Sequence, residues 1–281
     1  MSSVAGAGVD WKRRVAEAGF TLRAAKVGDV AFSYAEGPDN GPPLVLLHAQ
    51  HMDWFSYSRV LPALSRRFHV FDIDYPGHGP TVVPAEYPMT ANRIGADLAA
   101  FLEMMIGEPA CVSGNSSGGL LTVWLAANRP DLVKSVVLED PPLFAAEYPR
   151  IKTTIADRSF TTCSDAARDG VEDFLLYWIH SNKAFFRKNV APGAAFLLTQ
   201  AVKIYRRAHP GEPPALLVHA KFSVLPNGTL NGAMGQQDAD KTMSLLPHGR
   251  YRRVDATHVV HLAAPDLYVR ILEESFLTEA S

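Results

Sequence analysis

One stretch of this chain surrounds a serine with what a nucleophile needs: Cys111-Val112-Ser113-Gly114-Asn115-Ser116-Ser117-Gly118-Gly119-Leu120-Leu121. An apolar strand end, a G-x-S-x-G turn and a helix start follow one another, the context in which that pattern forms a nucleophile elbow. A serine at the point of so sharp a strand-to-helix turn takes φ > 0, and side chains two positions to either side would collide. Glycines at 114 and 118 remove both collisions. The turn lifts the Ser116 hydroxyl above the sheet beside the amino end of the next helix, where free N–H groups and the helix dipole favour developing negative charge. With glycine near 7% of residues and serine similar, chance supplies roughly 0.1 such patterns in a chain of this length. The chemistry is attack by a hydroxyl, which at neutral pH requires an imidazole to take the serine's proton.

The elements that must position this serine alternate along the chain. A short helix over 10–18 is capped by Asp10. Phe20 to Lys26 and Val30 to Tyr34 form an antiparallel hairpin around Val27-Gly28-Asp29. After the break at 37–43, the continuous apolar run Leu44-Val45-Leu46-Leu47 predicts a parallel strand covered on both faces. The loop His48 to Trp54 leads into a helix ending near Ser65, and the strand Phe68 to Ile73 runs into the turn Asp74-Tyr75-Pro76-Gly77-His78-Gly79-Pro80. A long helix over 90–106, the elbow strand, a helix over 118–128 and a strand over 132–138 ending at Glu139-Asp140-Pro141-Pro142 continue the rhythm. Strand–helix alternation of this kind implies a doubly wound α/β sheet with right-handed crossovers. From Leu143 to about Pro213 strand-like runs vanish and aromatics accumulate, with helical patterns around 147–158, 165–180 and 192–208. The rhythm resumes with a strand over 215–219, a helix over 237–246, a strand over 251–255 and a helix over 265–277.

From residue 20 to the end the sequence resembles the α/β-hydrolases that carry a helical cap. The resemblance rests on the elbow, the His48-Ala49-Gln50 loop, the D-x-x-G-x-G turn of Asp74 to Gly79, and Ala256-Thr257-His258-Val259-Val260-His261-Leu262. It implies a mostly parallel, doubly wound sheet as a core of residues 1–142 and 214–281, with a helical cap inserted over 143–213. Nucleophile, acid and base follow in that chain order in such folds. Ser116 and a late histidine fit, and His258, directly after the last strand, takes the base's place. His261, three residues on at the start of a helix, reads as a packing or pocket residue. Many relatives carry an Asp after the strand that follows the cap, but this chain has His219-Ala220-Lys221-Phe222-Ser223 there, and a lysine cannot orient an imidazolium. The family's other acid position, the tip of the strand before the cap, offers Asp140 first and Glu139 second, with Asp238 or Asp240 behind them. The oxyanion hole falls on the backbone N–H groups of Ser117 and Gln50, Ala49 replacing the usual glycine. His48 reads as a buried hydrogen-bonding residue. Asp74 and His78 read as parts of a structural turn rather than an acid–base pair. His51, Trp54, His261 and, among the cap aromatics, Trp178 are the candidates to line a substrate pocket.

The serine excludes haloalkane dehalogenase and epoxide hydrolase chemistry, which in this fold needs an Asp at the elbow centre. Acyl transfer to water remains, or hydrolysis of a carbon–carbon bond beside a carbonyl. A looser resemblance to zearalenone-type lactonases points to a carboxylic ester or lactone of a small hydrophobic substrate. A carbon–carbon bond hydrolase and a non-catalytic ligand receptor of the same fold are the alternatives. The 281 residues carry a net charge of −2 and two cysteines, with a pI of about 6.5. That is no electrostatic footprint for nucleic acid or an anionic membrane. An apolar signal segment, C-x-x-C, H-E-x-x-H and P-loop patterns are all lacking, so a cytoplasmic enzyme without metal or cofactor is expected. Its partner is a small-molecule substrate, and a second copy of the chain, as a homodimer, is a candidate partner.

Overall fold

The computed structural model describes residues 9–50, 52–143, 215–220, 233–246 and 249–277. Eight strands among them form one sheet: β1 Thr21–Val27, β2 Val30–Glu36, β3 Pro43–Leu47, β4 His69–Asp74, β5 Ala110–Asn115, β6 Val133–Glu139, β7 Ala215–Ala220 and β8 Arg250–Val254, in the order β1-β2-β4-β3-β5-β6-β7-β8. The β1–β2 and β2–β4 pairs are antiparallel and the others parallel. Every residue of β3 and of β5 is buried, whereas the edge strand β1 is mostly exposed. The unbroken apolar run at 44–47 reports this two-sided cover. Because β3 to β8 run parallel, their carboxyl ends share one edge of the sheet, where ligands of open α/β sheets bind.

Helices cover both faces. The described ones are α1 Trp11–Glu17, α2 Leu61–Leu64, α3 Ala91–Phe101, α4 Ser117–Asn128, α5 Gln236–Leu245, α6 Val260–Ala263 and α7 Pro265–Phe276. The pleat of β3 divides them. Val45 and Leu47 pack with Ile94 and Leu98 of α3, Leu120 and Trp124 of α4 and Ala239 of α5. Leu44 and Leu46 pack with Val15 of α1, Leu61 and Leu64 of α2, and Tyr268, Ile271 and Leu272 of α7. Asp10 caps α1, its carboxylate accepting the Arg13 N–H at 3.1 Å.

The sequence expectations for sheet and helices hold to within a residue or two, with two differences. The helix expected after Trp54 is a 3-10 turn, Trp54–Arg59, followed by the single turn α2. The helix expected to reach Ile106 ends its α-helical part at Phe101 and closes with one wider π turn, Leu102–Ile106, stopped by Gly107 at φ 73°. The strand β6 continues through Glu139, which decides where the two carboxylates at its tip point. Apart from Leu143, the cap expected over 143–213 lies outside the described residues, and so does 221–232 of the loop after β7. Among the described residues no helix is long and apolar enough to cross a membrane.

Candidate active site

Strand β5 delivers Ser116 at φ 54°, ψ −116°, and α4 begins at the next residue. Its N–H donates to the Glu139 carbonyl at 2.9 Å, so the elbow is tied to the neighbouring strand tip. The collisions expected on both sides of the serine are present, and both are with backbone. A Cβ on Gly114 would run into the Gly118 carbonyl, and one on Gly118 into the Leu47 carbonyl at the end of β3. The glycines therefore let α4 approach β5 and β3.

Asp140, one residue past β6, also has a positive φ, 46°. Its N–H donates to the Val218 carbonyl at 2.8 Å. Its wholly buried carboxylate accepts His258 Nδ1–H at 2.7 Å through Oδ2, which the Ala233 N–H also faces at 3.4 Å. The imidazole of His258 is itself about one third exposed. Burial opposes a charge on that ring, but the hydrogen bond it donates to Asp140 and the charges of Asp140 and Glu139 outweigh it and hold the His258 pKa above the usual histidine value. A third tie comes from Asn115, whose Nδ2 donates to the His258 carbonyl at 3.0 Å and the Glu139 carbonyl at 3.1 Å. Asp140 and His258 thus meet at the carboxyl edge of the sheet, and Asn115, the residue before Ser116, ties down the His258 main chain. Among the described residues no hydrogen bond joins Ser116 Oγ to His258, a contact that in hydrolytic sites commonly closes only with substrate.

On the other side of the serine, the close approach of Gly118 to the Leu47 and His48 carbonyls sets the loop that begins at His48 beside the start of α4. Ser117 opens α4 at that junction, and Gln50 is the third residue of the loop. Ser117 Oγ is fixed by a 2.8 Å hydrogen bond with Tyr75 OH, and the Tyr75 ring stacks on His48 with centroids 4.5 Å apart. His48 is wholly buried, its Nδ1 facing the Ala49 carbonyl at 2.8 Å, and burial pushes its pKa down to about 3. Asp74 accepts the Trp54 N–H at 2.7 Å and is lifted by burial to about 8. His48 and Asp74 are therefore a neutral pair under the loop.

A family model described as alpha/beta hydrolase fold matches residues 42–212. The chain belongs to the alpha/beta hydrolase fold family. This member of the family is 24% identical over 262 residues to a pimeloyl-[acyl-carrier protein] methyl ester esterase of Nitrosomonas europaea, a match covering 85% of this chain and 98% of that one. It is 34% identical over 94 residues to the Magnesium-chelatase 30 kDa subunit of Rhodobacter capsulatus, covering 34% of this chain. There it spans about a third, 33%, of the relative's length. The solved enol-lactonase of Burkholderia xenovorans LB400 superposes with a TM-score of 0.66 at 20% identity, over 91% of this chain and 100% of that one, which bears on the fold alone.

In this alpha/beta hydrolase the remaining candidates part company. Glu139, on the opposite face from Asp140, meets His261, and both side chains are wholly buried, so His261 lines no pocket. That corrects its place among the substrate-binding candidates: complete burial leaves it no surface for a substrate. Trp54 is among the residues lining a groove of about 320 Å³ beside α1, with Lys12, Phe20, Leu22 and Phe55, and its N–H donates to Asp74 at 2.7 Å. Asp238 accepts the Gly235 N–H at 2.9 Å and caps α5, so it is no rival acid. His51 and Trp178 lie outside the described residues. Tyr75 and Asn115 were missed by sequence reasoning. Their signal was present, since Tyr75 sits in the D-x-x-G-x-G turn and Asn115 is the variable residue before the elbow serine.

Proposed function

We propose that this alpha/beta hydrolase is a serine hydrolase that cleaves a carboxylic ester or lactone of a small hydrophobic substrate through an acyl-enzyme on Ser116. The observation that carries this reading is the 2.7 Å bond between the buried Asp140 carboxylate just past β6 and the imidazole of His258, a residue whose main-chain carbonyl is held by Asn115, the residue before the elbow serine. Ser116 Oγ bonds to the carbonyl carbon while its proton passes to His258 Nε2. The backbone N–H groups of Ser117 and Gln50 meet the oxyanion, a contribution of about 3–4 kcal/mol per donor in comparable sites. As the tetrahedral carbon collapses, the bond to the leaving oxygen breaks and His258 returns the proton to it. Water then attacks the acyl-serine by the same route, releasing the acid and restoring Ser116. Asp140 stays ionised throughout, holding the Nδ1–H tautomer and stabilising the imidazolium.

The ester-or-lactone substrate class is supported by the names of the relatives, one a methyl ester esterase and one an enol-lactonase. The test is incubation with p-nitrophenyl butyrate and, separately, with a fluorophosphonate, followed by intact-mass and peptide analysis. A burst of p-nitrophenol and a single adduct on Ser116, both lost in Ser116→Ala, are expected. Protein with no adduct on Ser116 at any pH from 6 to 9 would leave a ligand-binding role without turnover in its place.

A further inference from the structure

Glu139 lies on the strand beside the elbow, and its carboxylate makes no hydrogen bond to the side chain of Ser116 or His258 among the described residues. Its carbonyl accepts the Ser116 N–H at 2.9 Å and Asn115 Nδ2 at 3.1 Å. Its carboxylate turns to the other face of β6, where Oε1 accepts the backbone N–H of His261 at 3.0 Å and the two oxygens face His261 Nδ1 at 3.0 and 2.9 Å. A carboxylate is kept in a protein interior where N–H groups and a partner meet it, and here a main-chain amide and a ring do so. Full burial of both side chains bars contact with substrate. What the pair does reach is the loop of the base. Asn115 grips that loop at the His258 carbonyl and Glu139 grips it at His261, so both holds originate beside the elbow.

We propose that Glu139 and His261 are a positioning pair for His258, fixing the loop that carries the base and setting a second buried negative charge behind its imidazole. The inference rests on the hydrolase reading above. Other ionisable groups packed around the pair do not supply this charge. From the 3-10 turn, Tyr57 stacks on His261 with centroids 3.9 Å apart and donates to the Leu47 carbonyl at 3.2 Å. From α7, Tyr268 lies 5.6 Å from the His261 ring and bonds Ser113 at 2.7 Å. Burial holds both phenols well above their usual range, so neither is an anion. From β4, buried Asp72 is likewise pushed well above the carboxylate range. His48, after β3, is neutral. Among the described residues, Asp140 and then Glu139 are the carboxylates whose charge raises the His258 pKa.

The sign of the effect follows. A negative charge favours the imidazolium, so its removal lets His258 lose its proton at lower pH, while the looser loop slows attack. The test follows fluorophosphonate acylation of Ser116 against pH in the full chain, a step in which the Ser116 Oγ–P bond forms, P–F breaks, fluoride leaves and the serine proton passes to His258. In Glu139→Gln the acid limb should move down by about half a pH unit or more, and the plateau should fall about tenfold or more. His261→Leu should lose plateau rate, and His261→Asn, whose amide nitrogen can stand in for Nδ1, should recover part of what the Leu variant loses. A Glu139→Gln protein with the wild-type limb and plateau, or Asn and Leu variants that are equally slow, would overturn the inference alone. A wild type that never labels would overturn the hydrolase reading and this one with it. Should the variants fail to fold, histidine 15N NMR of the wild type decides: the His261 proton must reside on Nδ1, and a ring protonated only on Nε2 sinks the pairing.

Discussion

Replacing Asp140 by asparagine removes one charge from a wholly buried position and changes almost no volume. Oδ2 of Asp140 accepts His258 Nδ1–H at 2.7 Å and is faced by the Ala233 N–H at 3.4 Å, and Oδ1 has no hydrogen-bond partner among the described residues. Losing the charge from such a bond costs about 1.5–3 kcal/mol, or roughly 10- to 150-fold in rate. The amide must then choose an orientation. With its oxygen at the Oδ2 place, both N–H groups keep an acceptor, but the NH2 group is buried where nothing accepts from it, a further cost of about 1–3 kcal/mol. With its nitrogen there, it opposes the Ala233 N–H and forces His258 into the tautomer whose Nε2 carries the proton, a fault worth about 10⁴-fold in a Ser-His-Asp relay. Asp140→Asn should therefore acylate Ser116 about 10²- to 10⁴-fold more slowly than wild type with fluorophosphonate at pH 8. A melting curve run alongside confirms that the fold is kept. A rate within about threefold of wild type, under 1 kcal/mol of barrier, would show that Asp140 does not orient the base.

Three further outcomes are expected. Because burial is outweighed at His258 by Asp140, its raised pKa places the acid limb of kcat/KM above the ordinary imidazole value of about 6.5. Activity is lost as pH falls through that limb, and a limb at or below 6.5 in a pH–rate profile contradicts the electrostatics. In Gly118→Ala the new Cβ meets the Leu47 carbonyl, so the fold should weaken by about 2–4 kcal/mol, seen by circular dichroism as a Tm lowered roughly 5–15 °C; an unchanged Tm would mean that β3 and α4 can separate freely. Asp238→Ala should cost about 1 kcal/mol through the lost cap of α5 and leave Ser116 acylation unaltered, whereas a collapse of acylation would make Asp238 the acid.

What could be read from the sequence was whatever depends on neighbours in the chain. The elbow announced itself through glycines that only a close backbone approach requires, and the hairpin through alternation around Gly28. The period of two put Glu139 on the face opposite Asp140, as the structure has it. What occupies that face was not legible, because His261 is 122 residues away and meets Glu139 only once β8 lies two strands over and α6 folds back. The segment after Asp53 differed for a similar reason: its apolar spacing fits a helix, but the chain takes a 3-10 turn over Trp54–Arg59. Tyr75 lay inside a turn whose glycines explained its shape fully, so nothing local asked what its hydroxyl would hold.

One consequence of the strand order concerns remodelling. Every proposed reacting or orienting group except His258 and His261 has been laid down by the time the chain passes Leu143, and β7 with β8 then brings both imidazoles back to a tip already tied to the elbow. Exchanging the stretch between Leu143 and Ala215 for one of another length or composition therefore tests whether oxygen, carboxylate and ring keep their places without it. On the proposed function, a transplanted insertion should alter which acyl group is accepted before it alters how the bond is broken.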